Sequence, residues 1–169
     1  LGGNTVTLTA NPFAAQSPPL PSPSARFQAV PGGTKAVTYV CTANQLTRQW
    51  FGNLISPVNR DHIWIANGMA KYGELLYHEH VNGPASLEGE IHDLYVDALT
   101  VTEAPVRQAS RFEDYSPEYF ALTGSKGAAV LHMLRWIVGD QNFAKGLKAV
   151  CDQFANKSIG TDDFRKVFE

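Results

Sequence analysis

Apolar residues recur at intervals of three and four over most of the chain from residue 36 onward. This spacing places apolar side chains on one face of an α-helix, and the stretches are longer than ordinary β-strands. The helices that this pattern predicts cover about residues 36–51, 61–80, 91–104, 125–138 and 142–154. A chain of 169 residues is long enough to bury one sizeable core, so we expect a single mainly α domain.

Local signals indicate where several of these helices begin and end. Gly52 and Asn53 follow the first apolar stretch and favour a helix end there. Ser116 followed by Pro117 predicts a helix start, because serine caps a first turn and proline suits the first helical position. Thr161 is the predicted N-cap of a last short helix.

Residues 1–35 differ in composition, being rich in proline, serine, glycine and alanine. Proline fixes φ and removes a hydrogen-bond donor, so this stretch predicts an extended, loop-like segment. The alternation of threonine with apolar residues over 5–9 predicts one short strand within it. Because the chain opens at Leu1 and stops at Glu169 within a helical pattern, we expect a segment of a longer protein that has other domains. The helical domain is expected to cover residues 36–169.

Charge and composition argue against several classes of partner. The formal net charge is −2 and no run of lysine or arginine is present, so nucleic acid is not an expected partner. No apolar run approaches the length of a membrane span. Cys41 and Cys151 are too few to form a disulfide framework, and their pairing stays open. A buried structural thiol is the expected state of Cys41, rather than a nucleophile.

Two segments of the predicted helices carry a recognisable motif. Residues 44–53 read Asn-Gln-Leu-Thr-Arg-Gln-Trp-Phe-Gly-Asn, and residues 64–72 read Trp-Ile-Ala-Asn-Gly-Met-Ala-Lys-Tyr. The pair resembles the signature of the M1 family of zinc aminopeptidases, in which a His-Glu-x-x-His helix leads into Gln-Trp-Phe-Gly-Asn. In that family a glutamate ligand follows inside Trp-Leu-Asn-Glu-Gly-Phe-Ala-x-Tyr, at the same distance that separates Arg48 from Asn67.

The resemblance implies the helical, thermolysin-like catalytic domain of that family, but it places the family's zinc site on unsuitable residues. The two histidine ligands fall on Asn44 and Arg48, the general base on Gln45, and the glutamate ligand on Asn67. Asparagine is a poor zinc ligand, Gln45 cannot take up a proton, and Arg48 brings positive charge where the ion would lie. We therefore expect no zinc cofactor, although the family uses one.

The residues 124–128, Gly-Ser-Lys-Gly-Ala, match the family's Tyr-x-Lys-Gly-Ala motif except at the first position. The resemblance gives that tyrosine the role of stabilising the transition-state oxyanion, and Gly124 stands in its place. The expected function is therefore that of a non-catalytic peptidase homologue that binds a peptide or protein segment. Two alternatives stay open: an active aminopeptidase that uses an unrecognised metal site, and a purely architectural domain.

Other residues admit both a functional and a structural interpretation. Trp50, Trp64 and Tyr72 are candidates to line a peptide cleft, but aromatic residues at helical spacing more often form the core. The His78-Glu79-His80 segment, with acidic residues nearby, is a candidate substitute metal site, but histidines two apart do not share a helical face. A structural role for Arg48 would have it reach Asn67 or a carboxylate, of which the sequence suggests Asp61 or Glu74.

Overall fold

The computed structural model describes the backbone of residues 34–169 and the side chains of residues 41–169. The described helices are α1 Thr34–Trp50, α2 Trp64–Asn82, α3 Leu87–Ala98, α4 Pro117–Phe120, α5 Gly127–Val138, α6 Asp140–Phe154 and α7 Thr161–Val167. Two three-residue strands, β1 Ile55–Pro57 and β2 Lys157–Ile159, pair in parallel. Residues 39–169 form one compact unit. The strand predicted at residues 5–9 lies outside the described residues, and the helix α1 begins two residues before the predicted boundary at residue 36.

The predicted helices are present, with shifted ends. The helix predicted over 61–80 begins only at Trp64, after a 3-10 turn at Arg60–His62, and extends to Asn82. The helix predicted over 91–104 begins earlier, at Leu87, and its α-helical part ends at Ala98. The Ser116 cap is confirmed, because its hydroxyl accepts a hydrogen bond from the Tyr119 amide at 3.1 Å.

The predicted Thr161 cap is wrong by one position. Gly160 is the N-cap of α7, and its amide donates to the Asp163 carboxylate at 3.0 Å. The Thr161 hydroxyl is instead an acceptor for the buried Trp64 indole N–H at 2.9 Å and lies 2.9 Å from Nδ1 of His62. Thr161 therefore ties the start of α7 to the start of α2, a long-range role that local capping preferences do not reveal.

The core lies between α2 and the helices that follow it. Ile65, Met69 and Tyr72 lie on one face of α2 and are at most 3% exposed. Burying side chains of this size contributes about 1.5–3 kcal/mol each. Tyr72 packs edge-on against Phe143 of α6, with ring centroids 5.8 Å apart, and Leu131 of α5 is fully buried in the same cluster.

Two glycines allow α2 and α5 to approach closely. A Cβ added at Gly68 would lie 2.8 Å from the carbonyl carbon of Gly127, which is closer than real contacts allow. A Cβ at Gly127 would lie 3.1 Å from Cα of Gly68. The two backbones are therefore in contact at this crossing, and the neighbouring Asn67 is held at a fixed distance from the chain that enters α5.

The chain enters α5 through a π-helical turn, Ala121–Lys126. Such turns are rare and occur often at functional sites. The apolar periodicity predicted a regular helix from residue 125, whereas the α-helix begins at Gly127 and a π turn precedes it. Lys126 at its end donates to the backbone carbonyls of Val101 and Ala104 at 2.8 and 2.7 Å.

Candidate functional site

The helices α1 and α2 bring together the four positions at which the family resemblance places zinc chemistry. Their contact is close at Thr47 and Gly73, because a Cβ on Gly73 would lie only 2.0 Å from the Thr47 hydroxyl oxygen. Asn67 and Glu74, which lie before and after Gly73 on α2, form side-chain hydrogen bonds with residues of α1. We call the group Asn44, Gln45, Arg48, Asn67, Lys71, Glu74 and Thr123 the polar cluster.

The Arg48 guanidinium is the centre of the polar cluster. Its Nε donates to the Asn44 side-chain oxygen at 3.0 Å, and its Nη1 donates to the Asn67 side-chain oxygen at 2.9 Å. Asn44 and Arg48 are four residues apart on α1, so both side chains project from one helical face. Arg48 therefore contacts directly the other two residues to which the resemblance assigns metal ligands.

A carboxylate completes the α2 side of the cluster. Oε1 of Glu74 accepts from the Asn44 amide at 2.7 Å, and Oε2 pairs with the Lys71 ammonium at 2.8 Å. Gln45 donates only a long hydrogen bond, 3.4 Å, to the Asn44 oxygen. Of the acids considered for Arg48, Glu74 therefore reaches it indirectly through Asn44. Asp61 instead accepts from the Ser110 amide at 2.9 Å, and hydrogen bonds from the side chain and then the backbone of Ser110 lower the pKa of the Asp61 carboxyl.

The π turn orients Asn67 from the other side. The Asn67 amide donates to the Thr123 hydroxyl at 3.1 Å, and that hydroxyl donates to the Tyr119 carbonyl at 2.8 Å. Thr123 is fully buried. These two bonds leave the Asn67 oxygen facing Arg48, so the π turn positions one of the two acceptors that hold the guanidinium.

Tyr119 borders the cluster through Asn67. Burial raises the pKa of its phenol, with the negative charge of Asp114 adding to the effect, while Arg60 and the hydrogen bond with Asn67 lower it. The Arg60 guanidinium lies over the Tyr119 ring, 5.3 Å from its centroid. The motifs and the helical periodicity did not identify Tyr119, Thr123 or Lys71 as candidate site residues. Lys71 and Glu74 follow Asn67 by four and seven residues, a spacing that places the three side chains on one face of a helix. This spacing is the one sequence pattern that relates Lys71 and Glu74 to Asn67.

Gly124 lies in the π turn, at the position that aligns with the family's oxyanion tyrosine. A Cβ added at Gly124 would meet no atom within 4 Å. A Cβ at this position would therefore fit without displacing its neighbours.

The aromatic candidates for a cleft wall separate into two groups. Trp64 and Tyr72 are 3% and 0% exposed, and both belong to the core, so the cleft interpretation is wrong for these two. They face inward because the periodicity of α2 aligns them with the buried side chains of α5 and α6. Trp50, at the end of α1, is 50% exposed.

The side chains of residues 78–80, near the end of α2, do not share a common partner. His78 lies 3.9 Å from Glu90, while Glu79 forms a two-pronged ion pair with Arg135 at 2.7 and 3.1 Å. His80 is exposed. Within residues 41–169 no group of three histidine, cysteine or acidic side chains is arranged to share a metal ion.

The two cysteines are free and do not pair. Cys41 is exposed, so the expectation of a buried thiol is wrong for it. Cys151 is half-buried, and burial raises the pKa of its thiol.

In the described part of the chain, no helix combines the length and the apolar character that crossing a membrane requires.

Comparison with known proteins gives a consistent picture. The model of the peptidase family M1 domain matches residues 32–169. The chain is 28% identical over 138 residues to Aminopeptidase M1-B of Oryza sativa subsp. japonica, with 77% of this chain and 15% of that protein covered. It is 31% identical over 121 residues to Aminopeptidase N of Rattus norvegicus, with 66% of this chain and 12% of that protein covered.

Solved structures agree with the sequence comparison. A mutant of the M1 zinc metallopeptidase of Deinococcus radiodurans, bound to a Tyr-Ser-Ala substrate, superposes with a TM-score of 0.63 at 26% identity. The match covers 75% of this chain and 28% of that one. The chain thus spans between 12% and 28% of the length of these three proteins. Its mainly α fold is that of the M1 catalytic domain, and the chain belongs to peptidase family M1.

Proposed function

We propose that this domain is a non-catalytic M1 peptidase homologue whose altered metal site binds a peptide or protein segment. The observation that carries the proposal is the pair of hydrogen bonds from Arg48 to Asn44 and Asn67. These are the three positions that the resemblance assigns to metal ligands. In this chain the same three side chains form a hydrogen-bonded group around a fixed positive charge.

The donor set does not fit a zinc ion. Zinc in proteins is held by thiolates, imidazoles and carboxylates, whereas this group offers two amide oxygens that already accept from the guanidinium. A guanidinium stays protonated at any working pH, so it repels a dication and cannot become a ligand. The one carboxylate of the cluster, Glu74, is engaged by Asn44 and Lys71. We therefore assign no hydrolytic step to these residues.

Peptide binding is supported by the space and exposure around the polar cluster. Asn44, Arg48 and Asn67 are half-buried rather than buried, and a Cβ at Gly124 in the π turn would meet no atom within 4 Å. The aligned metallopeptidase of Deinococcus radiodurans binds a Tyr-Ser-Ala tripeptide in its solved structure. A related cleft in this chain would present amide donors and acceptors to an extended peptide backbone, which is how clefts commonly hold such segments.

Binding and hydrolysis can be measured in one experiment. The ¹⁵N-labelled protein is titrated with Tyr-Ser-Ala, and the side-chain amide signals of Asn44 and Asn67 are followed by NMR. We expect both signals to shift with the peptide remaining intact, with or without added zinc. The amide of Asn142, which is exposed on α6 and donates to the Val138 carbonyl, serves as the internal control.

Two results would overturn the proposal. Release of free tyrosine that depends on the protein would indicate an active aminopeptidase. Unchanged signals of Asn44 and Asn67 at millimolar peptide would favour the architectural alternative.

A further inference from the structure

Arg48 lacks a carboxylate partner, unlike most arginines of this chain. Arg60, Arg107, Arg135 and Arg165 each lie within 4 Å of an acidic side chain. No ion pair joins Arg48 to any acidic residue among positions 41–169. Residues 1–40, whose side chains are not described, contain no aspartate or glutamate. No acidic side chain of this chain therefore neutralises the Arg48 charge by direct contact.

The guanidinium is held in one orientation by neutral groups. Asn44 and Asn67 accept from its Nε and Nη1, and Asn67 is in turn fixed by the buried Thr123. The two N–H groups of Nη2 have no acceptor in the described part of the chain. Two hydrogen bonds fix the direction of the guanidinium, and the side chain is half-buried. The Nη2 donors therefore belong to a positioned cation and not to a mobile surface arginine.

Within the polar cluster, the cationic side chains outnumber the carboxylates. The polar cluster contains two cations, Arg48 and Lys71, and one carboxylate, Glu74. Both Glu74 oxygens are already occupied, one by Asn44 and one by Lys71, and the Glu74 side chain is only 15% exposed. The seven residues of the polar cluster therefore have a formal net charge of +1, and the acidic side chains of Glu90, Asp93 and Asp97 line a pocket on the Lys71 side.

We propose that Arg48 binds the carboxylate of a peptide ligand, either a C-terminal carboxylate or an aspartate or glutamate side chain. The inference rests on the proposed peptide-binding function and specifies the group that is recognised. Planar guanidinium groups bind carboxylates through charge-assisted hydrogen bonds, which are about twice as strong as neutral ones. The amide pair sets the direction of the guanidinium, so ordering it on binding costs little entropy.

Three N-acetylated tripeptides separate the sources of the carboxylate. Acetyl-Ala-Ala-Ala with a free carboxyl end presents a C-terminal carboxylate, and its C-terminal amide presents none. Acetyl-Ala-Asp-Ala amide presents a side-chain carboxylate alone. Affinities are measured by NMR titration at low salt. We expect at least one of the two acids to bind about tenfold more tightly than the neutral peptide, since hydrogen bonds to charged groups contribute at least this much.

Variants of Arg48 test whether this residue supplies the preference. Arg48→Gln should bind acidic and neutral peptides equally, and Arg48→Lys should retain only part of the preference because its charge lacks the planar fork. Arg165→Gln makes the same change of charge on α7 and should behave like the unmodified protein. If Arg48→Gln does not fold, salt dependence replaces it: raising NaCl should weaken binding of the acid but not of the neutral peptide in the unmodified protein.

The outcomes distinguish this inference from the proposed function. Equal, measurable binding of acidic and neutral peptides by the unmodified protein overturns carboxylate recognition and leaves peptide binding intact. A preference for acids that persists in Arg48→Gln also overturns it, because the carboxylate then binds elsewhere. Absence of binding by all three peptides contradicts both.

Discussion

Nη1 of Arg48 donates to the side-chain oxygen of Asn67 at 2.9 Å, although the two residues lie on different helices and 19 positions apart. The same Asn67 side chain donates to Thr123 in the π turn. One amide therefore links α1, α2 and the entry to α5. The helices α1 and α2 thus position a guanidinium between two side-chain amides.

The close crossing of α2 and α5 predicts a strong effect of a single methyl group. We expect Gly68→Ala to lower the free energy of unfolding by about 1–3 kcal/mol, because its Cβ would overlap the Gly127 backbone. Urea denaturation provides the measurement. Gly89→Ala in α3 is the matched control, since a Cβ there meets no atom within 4 Å. The control should be neutral or more stable by up to about 1 kcal/mol, and equal effects of the two variants would contradict the crossing.

The contact between α1 and α2 predicts a second effect, which is local to the polar cluster. Gly73→Ala would place its methyl group against the Thr47 side chain and push α1 away from α2. We expect the side-chain amide signals of Asn44 and Asn67 to move or broaden in NMR spectra. The double variant with Thr47→Gly, which removes the clashing group, should restore them. Unchanged spectra in the single variant would contradict the close approach.

Thr161 is expected to matter through its hydroxyl and not through helix capping. Thr161→Val removes the acceptor of the buried Trp64 indole N–H, and an unsatisfied buried donor costs about 1–3 kcal/mol. Thr161→Ser keeps the hydroxyl and should retain most of the stability. Denaturant unfolding of both variants is the test, and a loss in Thr161→Ser as large as that in Thr161→Val would contradict a dominant role for the hydroxyl.

The stability of the domain should depend on the protonation of His132. Burial and the positive charge of Arg135 lower the pKa of His132 below the ordinary value of 6.5, with Glu79 acting in the opposite direction. Because Arg135 donates to the Tyr72 oxygen, the phenol can donate to Nδ1 of His132 across 3.2 Å, which requires the neutral imidazole.

The direction of the pH effect follows from this lowered pKa. The unfolded chain binds the proton more readily, so stability rises with pH through this range. The contribution is complete above the unfolded pKa of about 6.5 and is lost as pH falls through the lower folded pKa. The free energy of unfolding, measured between pH 5 and 8, should fall less steeply toward acid in His132→Gln than in the unmodified protein. Identical slopes would contradict the assignment.

The helices were predictable because their signals are local, and helical periodicity located α2 and α5. The motif spacing related Arg48 to Asn67, and a hydrogen bond joins these two side chains in the structure. The roles of Thr123 and Thr161 were not predictable, since each depends on a contact with a residue at least 56 positions away. The two short parallel strands were not predicted for the same reason, because their pairing joins Ile55 to Lys157, which are far apart in the sequence.

Zinc content tests the central proposal most directly. The unmodified protein is dialysed against zinc, washed, and measured by elemental analysis beside a variant that combines Asn44→His, Gln45→Glu, Arg48→His and Asn67→Glu. We predict near-zero zinc in the unmodified protein and about one ion per chain in the variant, because the variant restores two imidazoles and a carboxylate on the two helices. About one zinc ion per unmodified chain would contradict the proposal that Arg48 has replaced the metal.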